Sequence, residues 1–212
     1  MLTLHRAALV LPDPADPTAP SHADGAVLVR DELVEAVGPY ADLAAAHPAA
    51  RVRDWGDALL TPGLRNPYGH WLLERAYHPD PREGVGDEPV PDGLAGERDE
   101  TRCGASARRG LQRMLGSGVT AVAGPFERAS VRTAVARSGL VVPPGAGTDA
   151  GAGPLDPLAV LPLAEAVHGR VAAGGRADFA VFASAADGPD GPGAAGGCRA
   201  TVLAGRLVFR RR

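Results

Sequence analysis

The sequence predicts an α/β fold: short strands at both chain ends and a strand–helix–strand unit between them. Three observations carry this. Up to about residue 60, and again after residue 176, short apolar runs alternate with turn residues. Between Ser106 and Val142, apolar residues at helical spacing alternate with short buried-strand runs. The stretches 79–102 and 184–198 are rich in Pro, Gly or acid and have little to bury.

In order, Leu2–Leu11 reads as a first strand, followed by a Pro/Asp-rich loop from Pro12 to Asp24. Ala26–Arg30 and Leu33–Val37 make a hairpin around Asp31-Glu32. Tyr40–Ala46 is a short helix closed by His47-Pro48. Val52–Asp54 and Ala58–Leu60 add strands before a Pro62-Gly63 turn, and several short strands with close turns suit a sandwich layer. His70–Tyr77 continues as a helix, and Pro79–Arg102 is a long loop. Ser106 caps a helix with Ala107, Leu111, Met114 and Leu115 on one face, ending at Gly116 and Gly118. Val119–Ala123 is a strand, Ser130 caps a second helix ending at Gly139, and Leu140–Val142 is another strand. Strand, helix, strand at this spacing makes a βαβ unit. Asp156-Pro157 opens a helix running towards His168 and distorted at Pro162. Ala177–Phe182 is a strand, Ser184–Cys198 a Gly/Pro/Ala loop, and Ala200–Leu203 with Arg206–Phe209 a final hairpin over Ala204-Gly205.

Composition bounds the function. With 212 residues, 45% of them apolar, the chain can bury a core of one domain, or of one domain and a small satellite. A net charge of -3 makes no electrostatic case for nucleic acid or an acidic membrane. Arg210, Arg211 and Arg212 read as a solvated basic tail. Every basic residue is arginine, so neither a Schiff-base lysine nor a carboxylated-lysine bridge is available. Cys103 and Cys198 lie far apart and form no CxxC, so reduced thiols in a cytosol are expected. No run of 18 apolar residues occurs, and the expected location is cytoplasmic.

Two pairs of segments carry a family resemblance. DGAVLVRDELVEAVG (Asp24–Gly38) precedes LLTPGLRNPYGH (Leu59–His70), and GGRADFAVF (Gly174–Phe182) precedes TVLAGRLVF (Thr201–Phe209). They resemble the two flanks of the amidohydrolase superfamily, with the imidazolonepropionase-like and aminodeoxyfutalosine-deaminase-like branches nearest. The resemblance implies a composite β-sandwich from residues 1–61 and 170–212. It implies that residues 62–169 are a reduced, open remnant of a (β/α)8 barrel. A whole barrel takes about 250 residues, and only about a hundred separate the flanks here. Gly118–Val122 and Ala136–Val142 resemble early barrel segments, and the next match is already the last strand. An internal deletion of several βα units accounts for this.

The resemblance also places candidate residues. In the family the first barrel strand follows a Pro-Gly turn and ends in His-x-His, two metal ligands. Pro62-Gly63-Leu64 matches the turn, and Asn66 stands where the family often has Asp or Asn. Tyr68 occupies the first ligand position and His70 the second. A strand puts residues i and i+2 on one face, but a phenol titrating near 10 is a poor metal ligand. Gly147-Thr148-Asp149 resembles the end of the last barrel strand, where the Asp binds metal and moves protons. His70 and Asp149 are thus the implied metal residues, and Asp149 the implied catalytic base, for zinc or another divalent ion. A catalytic zinc needs three protein ligands, so Glu74, His78 or Cys103 would have to supply the third. Each has a plainer reading. His70 is also readable as a leftover rim residue and Asp149 as a turn residue. His78 before Pro79 reads as solvated, and His168 as a residue closing a helix. Tyr68 and Tyr77 read as packing residues, and Arg108, Arg109 and Arg113 as a solvated helix face.

Two functions follow. One is a non-catalytic amidohydrolase homologue that binds a ligand or a partner. The other is a metal-dependent hydrolase of a non-peptide C–N bond in a cyclic amidine, amide or nucleobase-like substrate. An open barrel exposes parallel strand edges, so a second copy of the chain or another protein is expected to cover them.

Overall fold

The computed structural model describes residues 1–145, 151–185 and 194–211. It is a mixed α/β structure with one large sheet, a small parallel one and few helices. The N-terminal region supplies β1 (Leu2–Val10), β2 (His22–Arg30), β3 (Leu33–Pro39), β4 (Arg51–Asp54) and β5 (Ala58–Pro62), with α1 (Tyr40–Ala46) after β3. The C-terminal region supplies β8 (Phe179–Ala185), β9 (Ala194–Leu203) and β10 (Arg206–Arg210). All of these strands join one sheet in the order β10-β9-β8-β5-β1-β2-β3, with β4 beside the first half of β1. The seam between the two chain regions is the antiparallel β5–β8 pair, from Ala58↔Ala183 to Pro62↔Phe179.

Alternation along that seam divides the core. Ala58, Leu60, Phe179 and Val181 pack with Val27, Val34 and Val202. Leu59, Ala180 and Phe182 point the other way, onto the helices. Both strands are therefore buried on both faces, and this explains their nearly continuous apolar runs.

Gly63 carries the chain into the second sheet without the expected turn. Its N–H donates to Asp178 O at 3.3 Å, and its carbonyl accepts from His168 N–H at 2.8 Å. β6 (Leu64–Asn66) follows at once and pairs in parallel with β7 (Val119–Val122). Between them lie α2 (Gly69–Glu74) and α3 (Glu100–Gly116), and after β7 comes α4 (Ala129–Ser138). The expected strand at Leu140–Val142 is reduced to one parallel bridge, Ala121↔Val141. The Asp156-Pro157 segment forms a single 3-10 turn, capped as expected by Asp156. The chain then breaks at Pro162 before the four-residue α5 (Leu163–Ala166), so His168 lies beyond the helix. β9 starts at Ala194, inside the expected loop.

Two caps differ from expectation. α3 begins at Glu100, with the Asp99 carboxylate accepting from Thr101 N–H at 2.8 Å. Ser106, about two turns later, is buried within the helix and accepts from His78 N–H at 2.9 Å. α4 begins after Arg128, and Ser130 caps nothing. Instead Glu74 accepts from Arg128 N–H at 2.8 Å and Glu100 from Ser130 N–H at 2.9 Å. Carboxylates from two neighbouring helices thus satisfy a positive helix end. Among the described residues no helix is long and apolar enough to cross a membrane.

Gly63 sits where the sheets meet, and a Cβ there would fall 2.0 Å from Thr120 Oγ1. Gly63→Ala is expected to cost about 1–3 kcal/mol in urea denaturation, the usual penalty of overpacking. Thr120→Ala in the same chain should recover part of it, a coupling that two independent sites would not show.

Candidate functional site

Three of the residues that the resemblance singles out, Asn66, Tyr68 and His70, lie at the C-terminal end of β6. β6 stops at Asn66, and the chain turns through Pro67 and Tyr68 into α2. Tyr68 and His70 are therefore not alternate residues of a strand, as the motif implies. Tyr68 caps α2, and His70 lies in its first turn. A two-residue grip on one strand face is not built, because β6 ends at Asn66, two residues before Tyr68 and four before His70.

Asn66 is fully buried and spends its side chain on backbone. Its Oδ1 accepts from Tyr68 N–H at 2.8 Å. Its Nδ2 donates to the carbonyls of Pro154 and Leu155, each at 3.0 Å. These bonds hold the segment 153–155 down over the end of β6. Gly153 lies against the Tyr68 ring so closely that a Cβ would fall 2.2 Å from Cγ. The space beside the first ligand position is filled by the chain's own backbone.

His70 is partly exposed, with Nδ1 2.9 Å from Pro125 O. A carbonyl can only accept, so Nδ1 carries a proton. Glu74 sits one turn on, with Oε2 3.6 Å from the same Nδ1 and Oε1 already taken by Arg128 N–H. Glu74 is buried and serves the start of α4. Asp149 lies outside the described residues.

The other candidates lie elsewhere and do different work. His78, read from the sequence as solvated, is fully buried. Its Nε2–H donates to Leu72 O at 2.8 Å, and its carbonyl accepts from Arg109 Nε at 2.7 Å. Burial holds its pKa down to about 4, so the ring is neutral and Nδ1 is bare, without a protein partner. Arg109 and Arg113 are correspondingly not a free solvated face. Arg109 pins His78 and approaches Asp80 at 3.7 Å, and Arg113 approaches Asp87 at 3.6 Å. Cys103 is buried with Arg128 Nη1 3.1 Å from its sulfur, and burial raises its thiol pKa. Among the described residues no three His, Cys, Asp or Glu side chains converge as a metal site.

Sequence reasoning missed Arg128. Its Nη1 also donates to Glu97 O at 2.8 Å and its Nη2 to Leu94 O at 3.4 Å. One guanidinium thus ties the acidic loop to the start of α4. A basic residue just before a helix carries no signal for this, because its acceptors are backbone carbonyls some thirty residues away.

The comparisons place the N-terminal flank. Residues 25–50 match the family model described as the imidazolonepropionase-like composite domain of bacteria. An imidazolonepropionase from Pyrobaculum arsenaticum is 43% identical over 50 residues, 24% of this chain and 13% of that protein. A 5-methylthioadenosine/S-adenosylhomocysteine deaminase from Nitratidesulfovibrio vulgaris is 51% identical over 47 residues, 22% of this chain and 11% of that protein. Among solved structures, guanine deaminase from E. coli aligns with a TM-score of 0.48 at 18% identity, over 66% of this chain and 34% of that one. Ochratoxinase from A. niger aligns with a TM-score of 0.46 at 22% identity, over 67% of this chain and 30% of that one. The matched stretches span about an eighth of the curated relatives. Residues 25–50, within the N-terminal flank, are thus similar to an imidazolonepropionase-like composite domain.

Buried His78 makes stability depend on pH. Unfolded, it titrates near 6.5 and, folded, near 4, so between these values the unfolded chain binds the extra proton. Its contribution is complete above pH 6.5 and falls as pH drops towards 4, by about 3 kcal/mol in all. Denaturation midpoints from pH 7 to 4 should fall more steeply for the wild type than for His78→Gln.

Proposed function

We propose that this protein is an amidohydrolase-derived binding or partner protein in which the ancestral metal centre is not built. In this reading residues 1–61 and 170–212 are the composite β-sandwich domain, and residues 62–169 are what remains of the barrel. The observation that carries it is the segment 153–155, clamped by Asn66 and lying on Tyr68. That segment fills the end of β6, where the family resemblance would place a metal and substrate. The donor set argues the same way. Tyr68 replaces a ligand histidine, and one Glu74 oxygen is committed to α4. The described residues do not fit the family's metal, and no catalytic step is derived through one. What the protein binds is then a partner or ligand on its outer surface, with a second copy covering the short parallel sheet as one form of it.

One observation favours the other reading. His70 holds its Nδ1 proton on a backbone carbonyl and keeps Nε2 free, the orientation in which histidine ligates metals. With Asp149 as the second ligand and the base, the site would serve hydrolysis of a non-peptide C–N bond, as the names of the deaminase relatives suggest.

Metal content separates the two. The protein, purified without chelator or affinity-tag metal and then incubated with excess zinc and desalted, should carry well under one equivalent by elemental mass spectrometry. His70→Ala should leave that value unchanged. Near-stoichiometric metal that disappears in His70→Ala overturns the proposal and restores the hydrolase.

A further inference from the structure

The most strongly charged feature outside the candidate site surrounds Trp55. Its indole is buried between two edges of the large sheet that do not pair with each other. β4 hydrogen-bonds only to β1, in register His5↔Arg53, and β10 only to β9, in register Arg210↔Ala200. Trp55 follows β4 directly, anchored by its N–H on Arg6 O at 3.0 Å and stacked beside buried His5.

Arginines from both edges converge on it. Arg53 and Arg210 each place their guanidinium carbon 5.9 Å from the indole centroid. Arg199 Nη1 donates to Trp55 O at 3.4 Å, and Arg211 is tied alongside by its N–H on Arg199 O at 2.8 Å. Arg51 lies two residues before Arg53 on β4.

Among the described residues none of Arg51, Arg53, Arg199, Arg210 and Arg211 has a carboxylate within 4 Å. The adjacent acid, Asp54, is taken by Arg6 and by Gly56 N–H, and among the described residues Asp57 forms no ion pair. Arg53 is held below the ordinary arginine value, first by burial and then by Arg51 and Arg210. Arg53 and Arg210 are like charges at one immobilised indole, with Arg51 near enough to act on Arg53, and an anion between them would relieve their repulsion. Guanidinium forks on two sides of a gap suit an acceptor that takes several hydrogen bonds at once.

We propose that the opening between β4 and β10 at Trp55 is a binding site for a phosphoryl group of a small soluble phosphate, held by Arg53 and Arg210 over Trp55, with Arg51 and Arg199 beside them. The anion cross-links two sheet edges that like charges otherwise keep apart. It does not depend on whether the amidohydrolase site is active, because it uses none of those residues.

Trp55 is its own reporter. The chain has two tryptophans, and Trp71→Phe leaves Trp55 as the sole indole. Its fluorescence and the thermal midpoint are followed as inorganic phosphate, then pyrophosphate, is added at constant ionic strength set with chloride. The expected result is a saturable fluorescence change with a rise in Tm. In the Arg53→Gln/Arg210→Gln variant the affinity should fall about tenfold or more, since hydrogen bonds to a charged group are lost. A melting curve of the variant without phosphate establishes that it folds. No saturable change up to about 10 mM, well above a millimolar Kd, overturns the proposal, and so does an equal response in the double variant.

Discussion

The antiparallel pairing of β5 with β8 is the contact on which the rest of the structure depends. It joins chain segments more than a hundred residues apart and buries both faces of both strands. Long-range pairing is entropically costly to close, and the apolar runs Ala58–Leu60 and Phe179–Phe182 offset that cost by filling two cores at once. Because β5 leads straight through Gly63 into β6, the same seam fixes where the second sheet starts. Gly63 bonds on one side to Asp178 and on the other to His168, with Thr120 against its Cα. The small parallel sheet is therefore held by the large one, and it has only β6, β7 and a single bridge of its own.

A parallel unit this short cannot shape a deep mouth at its strand ends. A closed barrel gathers ligands from the ends of several strands. Here two strand ends are available, and backbone covers one of them. Asn66 could have ligated or oriented a metal-bound group. Instead it meets three backbone groups of its own chain, which is what a buried amide does when no ligand competes for it. Glu74 shows the same economy: its carboxylate lies at the start of α4, where exposed N–H groups and the helix dipole favour an anion. At these positions the side chains fasten the chain's own backbone.

Local pattern made much of the fold legible. Tyr40–Ala46 is helical over the range that its flanking Pro residues imply, and the hairpin around Asp31-Glu32 and the stops at Gly118 and Gly139 appear where turn chemistry puts them. What was not legible depends on distant partners. Ser106 and Ser130 have the composition of caps, but the chain upstream of each supplies a better start, Asp99 in one case and a pair of foreign carboxylates in the other. His78 beside Pro79 looks like a loop residue. It is buried because α3 carries Gly110 at the point where the ring enters, and no local pattern connects the two. Tyr68 and His70 were matched by spacing to a strand motif, and spacing does not reveal where a strand ends.

The all-arginine composition has a structural consequence that the sequence reading underrated. A lysine ammonium is a compact, strongly hydrated point charge, whereas guanidinium is planar, weakly hydrated and donates in several directions. Arg128 reaches two carbonyls and a sulfur at once, and Arg109 crosses from α3 to the His78 backbone. Both contacts need a fork. The same property lets Arg53 and Arg210 lie over one indole despite their like charge, since a guanidinium gives up little hydration to stack on an aromatic face. A chain whose basic residues are all arginine thus has the residue type suited to fastening loops and to gathering positive charge at Trp55. Among the described residues, arginine charge gathers around Trp55, away from the strand end that Asn66 and the segment 153–155 close.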